Sequence, residues 1–378
     1  MIALILIGSF QSAMLLALLL AKRQKNLSDY CLAGHFVASA ISIILAYLEI
    51  SIRNNGYPFP WAIAISVPSI LLIGPTLWLY IKSITTERFR LKGIYALLLL
   101  PFFFVVFLLS LSYYIYPHEA RIMMEQTGSV TAHWVFLVIV AMIGLSNIGY
   151  PLWGLFMVKS YRNKLKSYFS ETGQIDLSWL RFLLLSSLLA YAAISGMYAY
   201  NAAFQTIAYD TLQVSGYSVA SLFVLVMGFF GIRHGNVFAN IQVSSDMEKA
   251  LQQPGDPILP ANNKEEAFIR QLLAYMKESK PYLDPGLTLG KLSAQMDTTP
   301  EFLSGIINGS LYLNFYDFVN HYRTEEFKRL CGNPKNSGYT LISMAFESGF
   351  NSKATFNRVF KKEVGLTPSE YFRKVSAS

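Results

Sequence analysis

Seven long apolar segments occupy the first 233 residues of the chain. Each is close to the roughly 20 residues that an α-helix needs to cross about 30 Å of hydrocarbon. Only 14% of the residues are charged, whereas a soluble chain carries about 25%. The sequence therefore predicts an all-α, membrane-spanning N-terminal half. The predicted spans are Ile2 to Leu20, Cys31 to Ile52, Trp61 to Ile81, Gly93 to Tyr116, Trp134 to Val158, Leu180 to Ala203 and Leu212 to Ile232.

The basic residues between the spans predict which side of the membrane each connection faces. If the N-terminus lies outside, the inner connections hold eleven Lys and Arg, and the outer ones hold only Arg53 and Arg121. Short cytoplasmic loops carry an excess of Lys and Arg, so we expect the N-terminus outside and everything after Arg233 in the cytoplasm. The first segment lacks a preceding basic residue and reads as a retained span, not a signal peptide. The inner basic residues are Lys22, Arg23, Lys25, Lys82, Arg88, Arg90, Lys92, Lys159, Arg162, Lys164 and Lys166.

The composition changes after residue 233. Residues 234–263 carry Pro254, Pro257 and Pro260 among polar residues, which is typical of a linker. Residues 264–378 are charged and helical in period, with legible helix starts at Thr288 and at Thr299 followed by Pro300. Asn314 with Asp317 is a looser capping box, and Thr367 and Pro368 with Glu370 form a fuller one. We therefore divide the chain into a seven-span domain at 1–233, a linker at 234–263 and a small all-helical domain at 264–378.

Two helix-turn-helix patterns occur within the helical domain. In the second pattern Ala345 is the small residue where the helices cross, and Gly349 allows the tight turn. Ile342 and Phe346 share the inner face with Ala345, Asn351 is the expected cap, and Phe356 and Phe360 point inward. The first pattern runs from Leu289 to Ile306, with Asp297 in the turn, where aspartate tolerates a left-handed conformation.

These residues resemble the C-terminal DNA-binding domain of the AraC family of bacterial transcription regulators. The matching stretches are PYLDPGLTL from Pro281, NFYDFVNHYRTEEFKRL from Asn314 and LISMAFESGFNSKATFNRVFKKEVGLTPSEYF from Leu341. The whole arrangement looks like the membrane-tethered branch of that family, with a weaker match at Gly74, Pro75 and LWLY from Leu77. The resemblance implies that both helix-turn-helix units of one monomer contact successive major grooves, with the helix through Tyr322 and Arg323 setting their separation.

A recognition helix reads base edges from its exposed N-terminal positions, and nearby cations hold phosphates. Arg358 suits guanine, Asn357 suits adenine, and Lys361 suits a phosphate. The first recognition helix has no cation, so Glu301 and Asn308 either read cytosine and adenine or only position the protein. Residues 261–378 hold fifteen basic against twelve acidic residues, so charge alone does not decide the question. The candidate DNA-binding residues are Thr299, Glu301, Ser304 and Asn308 in the first unit, and Ser352, Lys353, Asn357, Arg358, Lys361 and Lys362 in the second.

Two points about polar residues stay open in the sequence. Arg323 and Lys328 on the connecting helix either contact DNA or pair with Glu325 or Asp317. Glu49 and Asn147 inside predicted spans are candidate ligand-sensing residues, but Glu49 can also snorkel to the outer interface and Asn147 can join two helices. We expect His35 to be interfacial.

Other features of the spans bear on packing. Pro68, Pro75 and Pro151 permit kinks. Small residues four apart, Ala192 with Gly196 and Gly216 with Ala220, suggest close contact between the sixth and seventh spans or across a homodimer.

The sequence offers no catalytic, metal or cofactor motif. Cys31 and Cys331 make neither a disulfide framework nor a metal-ligand spacing, and the five histidines are scattered. We expect no enzyme and no cofactor. The expected partners are promoter DNA, the lipid bilayer, a second copy of the chain, and an unknown small-molecule or membrane signal. The alternatives are a transporter or lipid-binding membrane protein with a helical regulatory appendage, and spans that serve only as an anchor.

Overall fold

The computed structural model describes residues 2–86, 89–129, 134–173, 177–233, 262–311, 314–336 and 338–376. Every regular element within these residues is a helix, which confirms the predicted all-α fold. The chain divides into an N-terminal unit, residues 1–159 with 178–241, and a C-terminal unit, residues 160–177 with 242–378. Nearly all of the predicted linker, residues 234–261, lies outside the described residues.

Six stretches of the N-terminal unit are long and apolar enough to cross a membrane, counting only the described residues. The seventh, at α9, has a described apolar part of Asp210–Val226, so a seventh complete span remains a prediction. The helices are α1 (Ile2–Leu20), α2 (Leu27–Asn54), α3 (Ser66–Ser69), α4 (Ile73–Thr85), α5 (Leu100–Ser112), α6 (His118–Gln126), α7 (Trp134–Tyr168), α8 (Ser178–Phe204) and α9 (Tyr209–Arg233).

The third and fourth spans are interrupted helices. A 3₁₀ segment, Ile70–Leu72, joins α3 to α4, and Pro68 and Pro75 flank it. Proline lacks the N–H that an α-helix would use, so the tighter turn between the two prolines has a local cause. The fourth span likewise begins with 3₁₀ turns at Gly93–Leu99 before α5. The short helix α6, in a connection expected to face outside, was not predicted.

Glycines bring several helices of the N-terminal unit close together. A Cβ added to Gly8 on α1 would lie 2.4 Å from the Cβ of Ser221 on α9, and one on Gly74 would lie 2.4 Å from the ring of Tyr150 on α7. Of the predicted small residues, Gly216 faces Ile194 and Tyr198 of α8, whereas Gly196 faces open space. The closest approaches therefore occur at glycines that the four-residue spacing did not mark.

The C-terminal unit has two hydrophobic cores that share one helix. Phe318 and Val319 of α13 join the first core with α10, α11 and α12, and Phe327 of α13 joins the second core with α14, α15 and α16. Because α13 contributes to both cores, it fixes the separation of the two helix pairs. The helices are α10 (Asn262–Glu278), α11 (Leu289–Gln295), α12 (Pro300–Ile306), α13 (Phe315–Cys331), α14 (Leu341–Glu347), α15 (Lys353–Val364) and α16 (Pro368–Ser376).

Candidate nucleic-acid interface

Side-chain caps start all four helices of the two helix-turn-helix units. The hydroxyls of Thr288 and Thr299 accept hydrogen bonds from the backbone N–H of Lys291 and Phe302, each at 3.2 Å. In the second unit Thr340 caps α14, and Ser352 caps α15 by accepting from Thr355 N–H at 3.3 Å. The predicted cap at Asn351 is therefore wrong by one residue. Ser352 takes that place because its backbone is the extended residue before the first helical turn.

The tight turns of the two units have left-handed backbone at the predicted positions. Asp297 has φ of 52° and Gly349 has φ of 92°. A Cβ on Gly349 would lie 2.2 Å from the carbonyl oxygen of Tyr282, so the turn packs directly on the PYLDPG segment. Ala345 is fully buried as predicted, but Phe346 is 46% exposed and does not belong to the core. The helix α14 is only two turns long, and Met344 and Ala345 form its buried face instead.

Arg323 on the connecting helix α13 is buried, and within the described residues it forms no ion pair with Glu325, Asp317 or any other carboxylate. The residue is 1% exposed, and its guanidinium donates hydrogen bonds to the carbonyl oxygens of Tyr282 and Asp284, each at 2.8 Å. Burial lowers the pKa of Arg323 to about 10. Lys328, in contrast, pairs with Glu325, one of the two alternatives left open in the sequence. Arg323 therefore holds the PYLDPG segment against the connecting helix.

Two of the four candidates at the first recognition helix, α12, are exposed, and Thr299 and Ser304 are half-buried. Glu301 and Asn308 are exposed, and Asn308 donates through its amide to the Ser304 hydroxyl at 3.0 Å. Asn308 lies beyond α12, in a wider helical turn at Ile307–Leu311. Thr299 uses its hydroxyl in the cap, so only its remaining surface is available to DNA.

The second recognition helix, α15, carries a row of exposed cations. Lys353, Asn357, Arg358, Lys361 and Lys362 are all exposed. Arg358 donates to the hydroxyl of Tyr316 at 3.2 Å, and Lys362 pairs with Asp317 at 2.9 Å, so both also contact α13. Phe356 and Phe360 are fully buried on the opposite face, as predicted.

One residue on α15 was missed. Thr355 lies in the first turn, three residues before Arg358, and is 2% exposed because its hydroxyl donates to Glu171 at 3.0 Å. No local pattern could have revealed this contact, since the two residues are separated by 184 positions. No group of three or more potential metal ligands occurs in the part of the chain that the structure describes.

The candidate sensing residues of the N-terminal unit are buried. Glu49 is 2% exposed and accepts hydrogen bonds from the Ser66 hydroxyl at 2.7 Å and the Gln213 amide at 3.0 Å. It does not snorkel, because these partners and Arg53, 3.7 Å away, hold it inside the bundle. His35 is also buried, 3.2 Å from the hydroxyl of Thr76, and its interfacial position stays a prediction.

A mostly apolar cavity of ≈ 310 Å³ lies inside the N-terminal unit. Asn147 and His35 line it, which places one of the two candidate sensing residues directly at the cavity. Glu49 is hydrogen-bonded to two further lining residues, Ser66 and Gln213. Further polar side chains line the cavity, among them Glu125 and Tyr198, and a mostly apolar lining with some polar groups is typical of small-molecule pockets.

Comparison with known proteins agrees with the C-terminal geometry. Residues 292–374 match the family model described as a helix-turn-helix domain. A stretch of 109 residues is 24% identical to the melibiose operon regulatory protein of Escherichia coli K12, and equally to that of Escherichia coli O6:H1. The match covers 29% of this chain and 34% of each relative, so the chain spans about a third of the curated relatives. No solved structure matches the chain.

The fold and these matches define the class of the C-terminal region. Two capped helix pairs on one connecting helix, together with the matched model, make it an AraC-type helix-turn-helix domain, as the sequence resemblance implied. This domain supports a role in transcription regulation. The apolar helices of the N-terminal half fit a membrane tether.

Proposed function

We propose that the protein is a membrane-bound, sequence-specific transcription regulator. The observation that carries the proposal is the pair of helix-turn-helix units, each with its own core, fixed on the shared helix α13. In this arrangement Arg358 and Asn357 read bases in one major groove, and Lys361 holds a phosphate. Lys353 and Lys362 add phosphate contacts, and Ser352 orients the first turn of α15. Glu301, Ser304, Asn308 and Thr299 serve the neighbouring groove.

We place the N-terminus outside and the AraC-type domain in the cytoplasm of a bacterial cell, with the spans in the cytoplasmic membrane. The support is the concentration of Lys and Arg in the inner connections. The proposed division stays at 1–233, 234–263 and 264–378. In intact cells a membrane-impermeant thiol reagent should label Asn55→Cys and should reach Gln24→Cys only after permeabilisation. Labelling of Gln24→Cys alone in intact cells would reverse the topology.

The N-terminal half acts as a sensor of a small, largely apolar molecule with a hydrogen-bonding end. The cavity supports this role, because its lining is mostly apolar and its polar side chains include Ser66, Asn147 and Gln213. Filling the cavity with Asn147→Phe should remove a molecule that co-purifies with the wild-type protein and should fix promoter output at one level. The exposed, lipid-type position Leu145→Phe is the matched control.

The transporter alternative remains the second candidate function, and the buried acid Glu49 is the observation that favours it. Solute uptake that persists after deletion of residues 264–378 would support it. The regulator proposal instead requires that this deletion abolish promoter control. We propose no catalytic activity, and the relatives matched are regulators by name.

A further inference from the structure

A connection between two predicted spans forms part of the C-terminal unit. Residues 160–173, which we call the loop segment, comprise the end of α7 and the chain that follows it. Ser170 is fully buried there. Its carbonyl oxygen accepts from the Asn320 amide at 3.0 Å and from Arg323 at 3.3 Å, and its hydroxyl donates to the carbonyl oxygen of Leu287 at 2.6 Å. The loop segment is therefore docked on the connecting helix through a buried polar contact.

The loop segment touches both helix-turn-helix units. Phe169 forms an antiparallel backbone bridge with Thr288, the cap of the first unit. Glu171 accepts a hydrogen bond from the hydroxyl of Thr355, in the first turn of the second recognition helix. Thr172 is 4% exposed, so the contact continues beyond Glu171. The loop segment therefore bridges the two helix-turn-helix units. In the second unit it contacts the N-terminal end of α15, the end that would enter a major groove.

The chemistry of this contact opposes DNA binding. The first turn of a recognition helix is where phosphates and base edges are met, because its N–H groups and dipole favour negative charge. Glu171 already places a carboxylate there, and a DNA phosphate would meet a like charge. Arg358 lies on the same face as Thr355, and it lines a cleft of ≈ 180 Å³ that the loop segment closes with Arg162 and Lys166.

We propose that the docked loop segment is an autoinhibitory element that occupies the DNA-facing groove, so that sequence-specific DNA binding requires its release. This inference rests on the proposed function. It gives the sensor a direct route to the DNA-binding site, since the loop segment is continuous with α7 and precedes α8 in the chain. If the segment is docked nine-tenths of the time, the apparent DNA affinity falls by about tenfold.

The first experiment locks the loop segment with an engineered disulfide. Residues paired across an antiparallel bridge have Cα atoms about 4.5–5.5 Å apart, within the range that a disulfide spans. The variant Phe169→Cys with Thr288→Cys, in full-length protein reconstituted in nanodiscs, should therefore oxidise readily. DNA affinity should then drop by at least about tenfold and recover on reduction. The two single-cysteine variants are the matched controls, because Thr288→Cys carries the same lost cap and both variants keep the native Cys31 and Cys331.

Each outcome of this experiment decides the proposal. Failure to form the disulfide would contradict the docking. A disulfide that forms and leaves DNA affinity unchanged or higher would contradict occlusion and would mean that Arg162 and Lys166 extend the DNA surface instead.

The second experiment removes the carboxylate and uses the same reconstituted full-length protein. Glu171→Gln should raise DNA affinity several-fold, whereas Glu278→Gln, which removes an equal charge from an exposed position on α10, should change it far less. Equal effects of the two substitutions would overturn the specific role of Glu171. Absence of sequence-specific binding in every variant, with the disulfide still forming, would refute the proposed function and leave the docking established.

Discussion

Each unit of the molecule encloses most of an arginine side chain, that of Arg53 in one and that of Arg323 in the other, but the hydrogen-bond partners differ. In the N-terminal unit Arg53 pairs with Glu125 at 2.7 Å and also with Asp210. In the C-terminal unit no hydrogen bond of Arg323 within the described residues goes to a carboxylate. Its partners are the backbone oxygens of Tyr282, Asp284 and Ser170, the Ser170 hydroxyl and the Asn320 amide oxygen.

The different partners give the two arginines different roles. Carboxylates balance the charge of Arg53 at the end of a span, where an unpaired charge is costly. Carbonyl oxygens leave the charge of Arg323 in place, and the guanidinium uses its several fixed N–H donors to hold separate stretches of backbone. Arg53 therefore depends on charge, and Arg323 depends on the shape of the guanidinium.

Substitution at the two arginines gives the largest expected effect. Arg323→Met leaves buried carbonyl oxygens unpaired and should destabilise the C-terminal unit by about 3 kcal/mol. Arg53→Met should cost a similar amount in the N-terminal unit, because it leaves Glu125 buried and unpaired. Hydrogen exchange of full-length protein, read separately for the two units, measures both.

The lysine variants distinguish the two mechanisms. Arg53→Lys should recover part of the lost stability because a point charge still pairs with carboxylates. Arg323→Lys should recover little, since an ammonium cannot reproduce the planar fork of donors. Equal recovery of stability at both positions would mean that the two arginines act by the same mechanism.

The turn that supports Arg323 gives the next effect. Gly349→Ala combines positive φ with a clash against the Tyr282 carbonyl, and it should destabilise the C-terminal unit by about 2–3 kcal/mol. Gly365→Ala has a similar φ of 79° but open space around the new Cβ, so it should cost only about 1 kcal/mol. Denaturant unfolding of both variants, monitored by hydrogen exchange in the C-terminal unit, measures the difference in their free energies of unfolding. Equal losses would mean that the contact with Tyr282 contributes nothing.

A third arginine, Arg358, is exposed, and we expect it to act in DNA binding and not in stability. Arg358→Ala should weaken specific DNA binding by about 1–3 kcal/mol and relax one base position, with little loss of stability. Lys361→Ala should weaken binding to all sequences equally and reduce the salt slope by about 1. Binding isotherms across a salt series separate the two roles. A uniform loss from Arg358→Ala would make it a phosphate contact.

The smallest effect concerns pH. Arg329 hydrogen-bonds Glu326 at 2.7 Å and, with Lys280, holds the pKa of that carboxyl below its usual range. The stabilisation by ionised Glu326 is therefore complete above its unfolded pKa of about 4.3 and is lost as the pH falls through the lowered value. Glu326→Gln should flatten this acid-side loss in unfolding experiments from pH 3 to pH 6. An unchanged slope would remove Glu326 from the acid response.

Local signals predicted the parts of the structure that depend on local physics. Thr288, Thr299 and Asn314 cap the helices that they were expected to cap, and Gly349 and Asp297 turn the chain as expected. These features follow from hydrogen bonds within three or four residues.

Contacts between distant residues could not be predicted. Arg53 meets Glu125 across 72 positions, and Arg323 meets Ser170 across 153. Nothing in the sequence near Ser170 marks it as a partner of the DNA-binding domain, because only the folded chain brings the loop segment to α13. Glu49 and His35 likewise meet partners on other helices, Ser66 and Thr76, that no local pattern marks.

The most direct test of the central claim is selection of bound sequences from random double-stranded DNA, with the reconstituted full-length protein and the fragment 262–378 in parallel. We predict one enriched motif, common to both forms, that spans two major grooves about 34 Å apart and changes at one base position in Arg358→Ala. Sequence-blind binding by both forms, with a steep salt dependence and no response to Arg358→Ala, would contradict the account.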